Sequence, residues 1–448
     1  MPGIFMASLG CVKNTVDAEM MLGETLDDEI YLELDPERAD VIIVNTCGFI
    51  QEARDEAEAV IGEYLDLKHR SEREVKVVAT GCLAERYPDR LLDKFPSLDA
   101  VWGLATPLSL KARILSLRGP GTASGIGKPD TVREGTRLVT TLPSFAYLKI
   151  SDGCDNNCRY CAIPLIRGGL RSRRPESVLR EAEELADQGI KELVVIGQDI
   201  TAYGMDIPDA GYGLERLLNE LLTRIAVPRI RLLYAHPAHL NAGVANLLLA
   251  EPRLCRYLDL PLQHVSSPIL AQMGRGYGED RVQELLDLFS RPDFTLRTTF
   301  MTGFPGESED DFRKMLDLVE KGRFRHLGAF AYSPEEGTEA AGFDNPVPPE
   351  EAVRRRDAIM AAQRRVAFDW LDRRIGGQEK VLVDSHAGDG WLAARSMAEA
   401  PDADGIIYLK SRKTRPGDLV EACIRARESY DLIAEIPEKR GGKRRQRR

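Results

Sequence analysis

The first 117 residues alternate short apolar runs with longer amphipathic segments. Apolar β-type runs cover positions 4–8, 41–45 and 75–79, and helical patterns follow over positions 18–26 and 50–69. Short apolar runs bounded by turn residues are typical of buried strands, whereas apolar residues spaced three and four apart are typical of amphipathic helices. Their alternation predicts an N-terminal doubly wound parallel sheet in an α/β protein.

A second alternating series begins near Phe145. Six strands are predicted, at positions 146–150, 192–196, 229–234, 257–260, 295–300 and 327–331. Helical patterns lie between them, for example at 175–188, 280–289 and 309–322. Six consecutive strand–helix units predict a partial barrel, (βα)6, whose functional residues come from loops at the carboxyl ends of the strands.

The remaining segments complete the predicted domain organisation. Positions 118–142 are rich in Gly, Pro and Thr and predict a linker. A long helix over 349–374 precedes five short strands within 379–437, which predict a small antiparallel β-barrel similar to a TRAM domain. The predicted divisions are an N-terminal domain at 1–117, a central domain at 143–374, a barrel at 375–438 and a tail at 439–448.

Composition excludes several classes of protein. Of 448 residues, 43% are hydrophobic and 29% are charged, as in ordinary globular proteins. No apolar run approaches the roughly 20 residues needed to span a bilayer. The N-terminus lacks a basic segment followed by a long apolar stretch, so we read no secretory signal there. We therefore expect a cytoplasmic protein without membrane association.

Charge is distributed unevenly along the chain. The net charge is −10, and because seven basic residues fall in the last ten, residues 1–438 alone carry −17. Such an acidic body disfavours general nucleic-acid binding, since phosphates are repelled. The basic tail is interpreted either as a solubilising disordered segment or as a contact for RNA or an RNA-rich assembly.

Three of the eight cysteines form a tight motif after the first strand of the predicted barrel. They are spaced Cys-x3-Cys-x2-Cys, at Cys154, Cys158 and Cys161. Three thiolates on one loop can hold three corners of a cubane iron–sulfur cluster. Since neither a fourth cysteine nor a histidine lies nearby in sequence, one iron would stay open to a cofactor. The alternative interpretation is a zinc site or a chance grouping.

Three other cysteines are distant in sequence but share one context. Cys11, Cys47 and Cys82 each follow a predicted strand by a few residues, and glycine flanks each of them. The carboxyl ends of parallel strands share one edge of a sheet, so these thiols are expected to converge. A second cluster with an open iron is the prediction, and three buried core cysteines are the alternative. Cys255 and Cys423 lie in apolar surroundings and are expected to be packing residues.

The two cysteine triplets and the C-terminal barrel together resemble the radical S-adenosylmethionine methylthiotransferase family, over about residues 4–437. The resemblance implies two 4Fe–4S clusters and S-adenosyl-L-methionine as cofactors, and insertion of a methylthio group into an unactivated C–H bond. It also implies partners outside the chain, namely an electron donor and a sulfur source. Within the family, three segments resemble the ribosomal-protein (RimO-type) branch: Ser8–Asp17, the stretch Arg395–Gly405, and Tyr430–Leu432.

That branch implies an aspartate of ribosomal protein S-twelve, alone or in the small ribosomal subunit, as the substrate, modified at its β-carbon. The transfer-RNA branch usually has a Gln-Met-Asn-like continuation after its first cysteine, where this chain has Val12, Lys13 and Asn14. An acidic segment 379–437 also favours a basic protein partner over RNA. Three alternatives remain: a transfer-RNA adenosine as substrate, an N-terminal cluster that only relays electrons, and a non-catalytic zinc module.

Other candidate site residues follow strand ends. The turn Gly197-Gln198-Asp199 resembles the family's contact with the amino group of the cofactor, and Gly303 lies in a similar turn after the fifth strand. Arg167 is predicted to face an anionic group of cofactor or substrate, with a surface salt bridge as the alternative. Three histidines at strand ends could line the cavity, although structural roles are favoured for them: His236, His239 and His264.

Overall fold

The computed structural model describes residues 2–27, 29–104, 110–117, 122–127, 129, 132–141, 143–208 and 211–437. The basic tail at 439–448 lies outside these residues. No helix in the described ranges is long and apolar enough to cross a membrane. The elements of the N-terminal domain are β1 (Gly3–Ser8), α1 (Val12–Thr25), β2 (Tyr31–Leu32), β3 (Val41–Thr46), α2 (Gln51–Arg70), β4 (Lys76–Gly81), α3 (Cys82–Arg86), α4 (Pro88–Lys94), β5 (Ala100–Trp102), α5 (Leu110–Leu115) and β6 (Thr122–Ser124).

These strands form one parallel sheet in the order β2-β1-β3-β4-β5-β6, which confirms the predicted α/β architecture. Strands β2, β5 and β6 were not predicted, because two or three residues are too few to show a pattern. Strand β6 comes from the predicted linker. Helix α1 begins at Val12, six residues before the predicted start. Its first turn is polar yet buried, so apolar periodicity does not reveal it.

The central domain contains β7 (Phe145–Lys149), β8 (Ser151–Asp152), α6 (Ile163–Ile166), β9 (Arg171–Ser172), α7 (Pro175–Asp187), β10 (Glu192–Ile196), α8 (Leu214–Arg224), β11 (Arg229–Leu232), α9 (Ala242–Ala250), β12 (Tyr257–Asp259), α10 (Ser267–Gln272), α11 (Glu279–Leu288), β13 (Thr295–Thr302), α12 (Glu309–Glu320), β14 (His326–Ala331) and α13 (Pro349–Arg374). Two 3-10 turns lie at Ile200–Ala202 and Glu339–Gly342. Capping explains some boundaries: Ser308 and Asp311 form a reciprocal capping box at the start of α12.

The six strands β7, β10, β11, β12, β13 and β14 confirm the predicted partial barrel. They form two three-stranded parallel sheets, β11-β10-β7 and β12-β13-β14. A parallel bridge between Ile230 and Leu254 and a hydrogen bond from the Ala235 amide to the Asp259 carbonyl (3.0 Å) join β11 to β12. Outward-facing apolar side chains pack with the surrounding helices into one large core. Because the strands are parallel, their carboxyl ends lie at the same end of the barrel, where functional residues are expected.

The C-terminal domain is a closed five-stranded barrel. Its strands are β15 (Gln378–His386), β16 (Trp391–Arg395), β17 (Ile407–Lys410), β18 (Leu419–Glu428) and β19 (Asp431–Glu435), in the order β15-β16-β17-β19-β18. The pairs are antiparallel except β17 with β19, which is parallel. Each predicted strand overlaps an observed one. Alternating inward residues build a separate small core.

The inner face of the partial barrel is covered by parts of the other two domains. Val16 and Met20 of α1 pack against inward-facing Phe145 and Tyr147, and Ala400 of the C-terminal barrel joins the same cluster. An open barrel exposes apolar inner surface, and burial of that surface stabilises the assembly by about 25 cal/mol per Å². The three domains therefore share one continuous interior.

The loop between β16 and β17 fastens the C-terminal barrel to that interior. The Tyr147 hydroxyl donates to Asp402 (2.7 Å) and the Tyr257 hydroxyl to Asp404 (2.7 Å), while Arg297 also donates to Asp404 (2.6 Å). The Asp404 side chain is only 1% exposed. A segment that resembles the ribosomal-protein branch in sequence thus serves as an internal anchor.

A second contact joins the N-terminal and central domains. The carboxylate of Glu335, which follows β14, accepts hydrogen bonds from Arg54 of α2 (2.6 Å) and Arg86 of α3 (2.8 Å). All three side chains are less than 10% exposed. Charge-assisted bonds of this kind are directional, so the pair of arginines fixes the orientation of the N-terminal sheet on the central barrel.

The Asp404 anchor leads to a stability prediction. The substitution Asp404→Ala should lower the free energy of unfolding by about 3 kcal/mol, because the Tyr257 hydroxyl and the Ala400 amide lose their acceptor and Arg297 loses its nearest carboxylate. Calorimetric and denaturant unfolding measure the change. Glu421→Ala, at an exposed position of β18, is the matched control and should have little effect. Equal loss in both variants would contradict the anchoring role.

Candidate active site

The first cysteine triplet lies at the carboxyl edge of the N-terminal sheet. Cys11, Cys47 and Cys82 directly follow the neighbouring strands β1, β3 and β4 or lie within a few residues of them. Gly10 has φ +84°, and a Cβ atom there would lie 2.5 Å from the Cβ of Cys47. Only glycine permits this close approach of the loop before Cys11 to Cys47. The predicted convergence of the three thiols is observed.

Burial shapes the chemistry of this triplet. Cys11 is exposed, whereas Cys47 and Cys82 are 8% and 5% exposed, and none forms a disulfide. Burial, with smaller contributions from the neighbouring Cys11 and Cys47 thiols, raises the pKa of Cys82 to about 12. Burial likewise raises the pKa of Cys47. Thiols held protonated in this way release their protons when a metal binds.

The second triplet lies on the loop after β8. The Cys154 amide donates to the Gly168 carbonyl (3.2 Å), the Arg159 amide to the Met273 carbonyl (3.0 Å) and the Cys161 amide to the Cys158 carbonyl (2.9 Å). The first two bonds hold the loop against neighbouring segments, and the third closes the turn between Cys158 and Cys161. Burial, followed by the adjacent Cys158 and Cys154 thiols, raises the pKa of Cys161 to about 12. The motif is thus a folded loop with three free thiols.

The two triplets face each other across the domain interface. Cys82 packs against Ala162 and Ile166, which belong to the segment that continues from Cys161 into α6. The Cys82 thiol lies 3.6 Å from the Asn14 side-chain oxygen, which itself accepts a hydrogen bond from Arg167. Only a few side chains therefore separate the thiols of the N-terminal sheet from the loop of the central barrel.

Arg167 is the link between the two sides. Its guanidinium donates to both oxygens of Asp152 (2.9 and 3.0 Å) and to Asp17 of α1 (2.8 Å). Lys149, the last residue of β7, also donates to Asp17. Although burial alone would raise the pKa of Asp152, Arg167 and Lys149 hold it well below the usual range. Asp152 is therefore ionised, and the four side chains form a set of paired charges.

This pairing differs from the role predicted for Arg167. The sequence analysis expected its guanidinium to face an anionic group of cofactor or substrate. Arg167 is 2% exposed, and its donors are already directed at Asp152, Asn14 and Asp17. Sequence alone could not show this, because two of the acceptors come from another domain.

The side chains around the thiols bear on which metal they suit. Two polar side chains that contact them are Asn14, 3.6 Å from the Cys82 sulfur, and Arg275, 3.4 Å from the Cys158 sulfur, and neither is a common zinc ligand. A structural zinc site takes four protein ligands, whereas a cubane cluster held by three thiolates keeps one iron open. The three thiols of each triplet therefore fit a cluster better than zinc.

The predicted cofactor turn lies beside the second triplet, at the end of β10. A Cβ atom at Gly197 would lie 2.7 Å from the Ser151 hydroxyl. The side-chain amide of Gln198 donates to Asp152 (2.9 Å), and its side-chain oxygen Oε1 is buried without a partner among the described residues. Asp199 accepts from Asn156 (2.9 Å) and from Thr201. The turn thus presents one unsatisfied acceptor close to the cysteine loop.

Two histidines extend this turn. His239 Nδ1 lies 2.8 Å from the Asp199 carboxylate. His236 Nδ1 accepts the Ala238 amide (3.2 Å), which leaves its Nε2 as a buried donor with no partner in the described chain. Burial, followed by the nearby Arg275, lowers the pKa of His236 to about 3, so its ring is neutral. An unpartnered donor and an unpartnered acceptor, after the neighbouring strands β11 and β10, suit a ligand with both carboxylate and amino groups.

Gly303 and the third histidine have structural surroundings. Gly303 has φ +76°, and a Cβ atom there would lie 2.2 Å from the Cβ of Ala352 in α13. Close helix packing therefore accounts for this glycine, which was predicted to bind cofactor. His264 accepts the Val265 amide (2.9 Å) and is fully buried. Cys255 and Cys423 are buried in apolar clusters or strands, as predicted.

Lys13 is a site residue that sequence reasoning did not select. It is 8% exposed, and its ammonium lies 3.0 Å from the centre of the Tyr234 ring, at the end of β11. Burial, with Arg167 acting in the same direction, lowers its pKa to about 8, against the opposing influence of Cys11 and, to a smaller extent, Asp259. The one signal in the sequence was the position of this lysine, two residues after a predicted metal ligand. A lysine in the first turn of a helix is usually exposed to solvent, so this position did not distinguish it.

Comparison with known protein families matches three segments. Residues 3–103 match the uncharacterized protein family UPF0004, residues 148–319 match the radical SAM superfamily, and residues 375–436 match the TRAM domain. Each matched segment lies within one of the ranges 1–117, 143–374 and 375–438. The two triplets of facing thiols fall in the first two matches.

Several curated proteins are similar over nearly their whole length. The ribosomal protein uS12 methylthiotransferase RimO of Geobacter sulfurreducens is 42% identical over 443 residues, covering 97% of this chain and 98% of that protein. The proteins of the same name from Citrifermentans bemidjiense and Clostridioides difficile are 40% and 38% identical, with the same coverage.

Solved structures show the fold. The radical S-adenosylmethionine methyltransferase TsrM from Kitasatospora setae, with cobalamin and a [4Fe-4S] cluster bound, superposes with a TM-score of 0.55 at 17% identity, over 76% of this chain and 77% of that chain. The cobalamin-dependent S-adenosylmethionine radical enzyme OxsB gives a TM-score of 0.52 at 12% identity, over 81% and 56%. At these identities the likeness concerns the fold alone.

The Arg167 bridge generates a prediction about the site. Arg167→Gln should lower the free energy of unfolding by about 3 kcal/mol, because Asp152 and Asp17 lose one of their two shared cations and Lys149 alone remains between them. Denaturant unfolding of the purified protein measures this. Arg159→Gln, which removes a half-exposed arginine on the cysteine loop, is the control and should be nearly neutral. If the two variants unfold alike, the bridge does not join the domains.

Proposed function

The chain belongs to the ribosomal protein uS12 methylthiotransferase (RimO) family, and from this we propose that it replaces a β-hydrogen of an aspartate in uS12 with a methylthio group. The single observation that carries the proposal is the pair of free thiol triplets facing each other across Arg167. Adding sulfur at an unactivated carbon needs a site that makes a radical and another that keeps sulfur, and the two must lie close together.

We propose that Cys154, Cys158 and Cys161 hold one 4Fe–4S cluster and that Cys11, Cys47 and Cys82 hold the other. Bound there, the clusters supply an electron for the reductive cleavage of S-adenosylmethionine and an iron site for the sulfur that is transferred. Each triplet contributes three thiol ligands, one fewer than the four protein ligands of a structural zinc site.

The chain's own residues hold and orient the cofactor S-adenosylmethionine. We propose that the free carbonyl oxygen of Gln198 accepts from its amino group and that Nε2 of His236 donates to its carboxylate. Gly197 leaves room for the turn beside Ser151, and Asp199 holds His239 in place. Arg167 and Gly303 do not contact the cofactor themselves in this proposal. Arg167 fixes the domain interface, and Gly303 lets α13 pack against its turn.

The balance of atoms defines what must come from outside. One S-adenosylmethionine supplies the methyl group, and a second is cleaved and takes up the hydrogen atom from the β-carbon. The new C–S bond needs one sulfur atom. The cleavage takes up one electron and yields methionine and 5′-deoxyadenosine, and joining the carbon radical to a methylthiolate sulfur releases one electron, so a turnover consumes no net electron. An external sulfur source is therefore consumed in every turnover, and an external electron donor is needed to bring the site to its reduced state. We place the reaction in the cytoplasm, where the small ribosomal subunit is found.

The acidic residues of the C-terminal barrel support a basic protein substrate less strongly than the sequence of segment 379–437 suggests. Asp384, Glu399 and Asp404 are buried and paired with arginines, so they add no acidity to the outer surface. Lys413 and other basic residues of the exposed turn 410–415 lie on that surface. This turn favours contact with RNA, which keeps a transfer-RNA adenosine as the second candidate substrate. The full-length similarity to uS12 methylthiotransferases favours the protein substrate.

The two-cluster assignment predicts the iron content of variants. Anaerobically reconstituted protein should contain about eight irons per chain. The combined substitution Cys154→Ala, Cys158→Ala and Cys161→Ala should retain about half of that iron, because the other triplet is built on a separate sheet. Iron and sulfide analysis measures this, with Cys255→Ala as the control that keeps the full content. Loss of all the iron, or of none, would contradict two independent sites.

The substrate assignment predicts the product. Incubation of the reconstituted enzyme with S-adenosylmethionine, a reductant and sulfide should add one methylthio group to uS12, located by fragment mass spectrometry on an aspartate. Transfer RNA offered in a parallel reaction should stay unmodified. Modification of an adenosine with no change in uS12 would establish the second candidate instead. The triple cysteine variant provides the blank for both reactions.

A further inference from the structure

Lys13 of the N-terminal domain contacts the carboxyl end of the central barrel. It lies in the first turn of α1, two residues after Cys11, and its ammonium rests 3.0 Å from the centre of the Tyr234 ring. Tyr234 follows β11, so its ring stands at the carboxyl end of the central barrel. The ammonium is therefore placed in the gap between the exposed Cys11 thiol and the rim of the barrel.

This ammonium lacks the partners that the neighbouring cations have. Lys149 and Arg167 both pair with Asp17 and Asp152. Lys13 makes no ion pair or hydrogen bond through its side chain with any residue that the structure describes, and Cys11 first, then Asp259 and Asp152, act on it by charge alone. Removing a cation from water without a counter-ion is costly, so a group kept in this state points to a ligand that completes it.

Arg275 is a second cation near the cysteines for which the structure describes no carboxylate partner, but its donors are occupied. It donates to the Pro261 carbonyl (2.6 Å), the Tyr277 hydroxyl (3.2 Å) and the Cys158 sulfur (3.4 Å). Arg275 is thus bonded into the rim itself. Lys13 is the cation of the gap whose donors stay available to a molecule that enters.

We propose that Lys13 binds the side-chain carboxylate of the target aspartate and thereby selects aspartate as the residue to be modified. The inference rests on the proposed function and adds to it the group that recognises the substrate. In aspartate the carboxylate carbon is bonded directly to the β-carbon. Holding the carboxylate therefore holds the reacting carbon one bond away, between the two cysteine triplets.

Tyr234 prepares the ammonium for this role. Its ring face fixes the long lysine side chain by a cation–π contact, which reduces the freedom that binding would otherwise have to remove. The backbone of Tyr234 has φ +68°, an uncommon conformation for a residue with a side chain. Such strain persists only where surrounding contacts enforce it, and here the Tyr234 amide donates to Asp259 (3.1 Å).

The arrangement specifies which substrates should be rejected. Asparagine has the shape of aspartate but no charge, and it would leave the lysine ammonium unpaired. Glutamate keeps the charge but inserts a methylene group, which places the β-carbon about one bond length farther from the carboxylate that Lys13 binds. A buried polar site that loses its partner discriminates strongly, so we expect the wild-type enzyme to prefer the aspartate form of uS12 over the asparagine form by about 100-fold or more.

The test crosses two enzymes with two substrates. Reconstituted wild type and Lys13→Met are each titrated with uS12 and with uS12 whose target aspartate is changed to asparagine, and binding and methylthio product are both measured. The wild type should show the aspartate preference in both readouts. Lys13→Met should bind the aspartate form about 100-fold more weakly and should lose the preference, because methionine keeps the length of the side chain without its charge.

Controls separate recognition from folding and from the proposed function. Lys94→Met, at a half-exposed lysine paired with Glu58 on the N-terminal domain, should retain the wild-type preference. Iron content and thermal unfolding verify that Lys13→Met is folded, and Lys13→Gln repeats the test if it is not. The inference is overturned if the wild type treats both substrates alike, or if a folded Lys13 variant keeps the preference. Failure of the wild type to modify any uS12 would overturn the proposed function itself, and the inference with it.

Discussion

The guanidinium of Arg167, shared between Asp152 of the central domain and Asp17 of the N-terminal domain, is the contact on which the arrangement of the active site depends. Planar forks of this kind hold carboxylates in a defined direction as well as at a defined distance. Because each cysteine triplet belongs to a different domain, their separation depends on this bridge together with the contact of Glu335 with Arg54 and Arg86. The buried charges contribute geometry here, and their net stabilisation is secondary.

The partial barrel explains why three domains form one unit. Six strands leave the inner face incompletely enclosed, and α1 together with the loop around Ala400 covers the inner surface that remains. The same helix that seals the barrel begins at Cys11 and brings Lys13, Asn14 and Asp17 to the rim. Packing of the core and placement of the polar site are thus two consequences of one docked helix.

Much of this arrangement is predictable from sequence, and the remainder has identifiable physical causes. The six strand–helix units, the C-terminal barrel strands and the strand-end positions of the cysteines follow from local apolar patterns, which survive in any context. The start of α1 does not, because its polar first turn is buried against another domain. The anchoring role of Asp404 and the bridging role of Arg167 were also hidden, since each depends on partners from distant parts of the chain.

The internal position of the loop between β16 and β17 affects how truncated forms of the protein should be interpreted. A C-terminal barrel of this type invites treatment as a detachable recognition module. Here its removal would also withdraw the acceptors of Tyr147 and Tyr257 and uncover the inner wall of the catalytic barrel. Inactivity of a shortened chain would therefore report collapse of the reaction chamber as readily as loss of substrate docking, and point changes on the outer surface of the barrel are the cleaner probe of recognition.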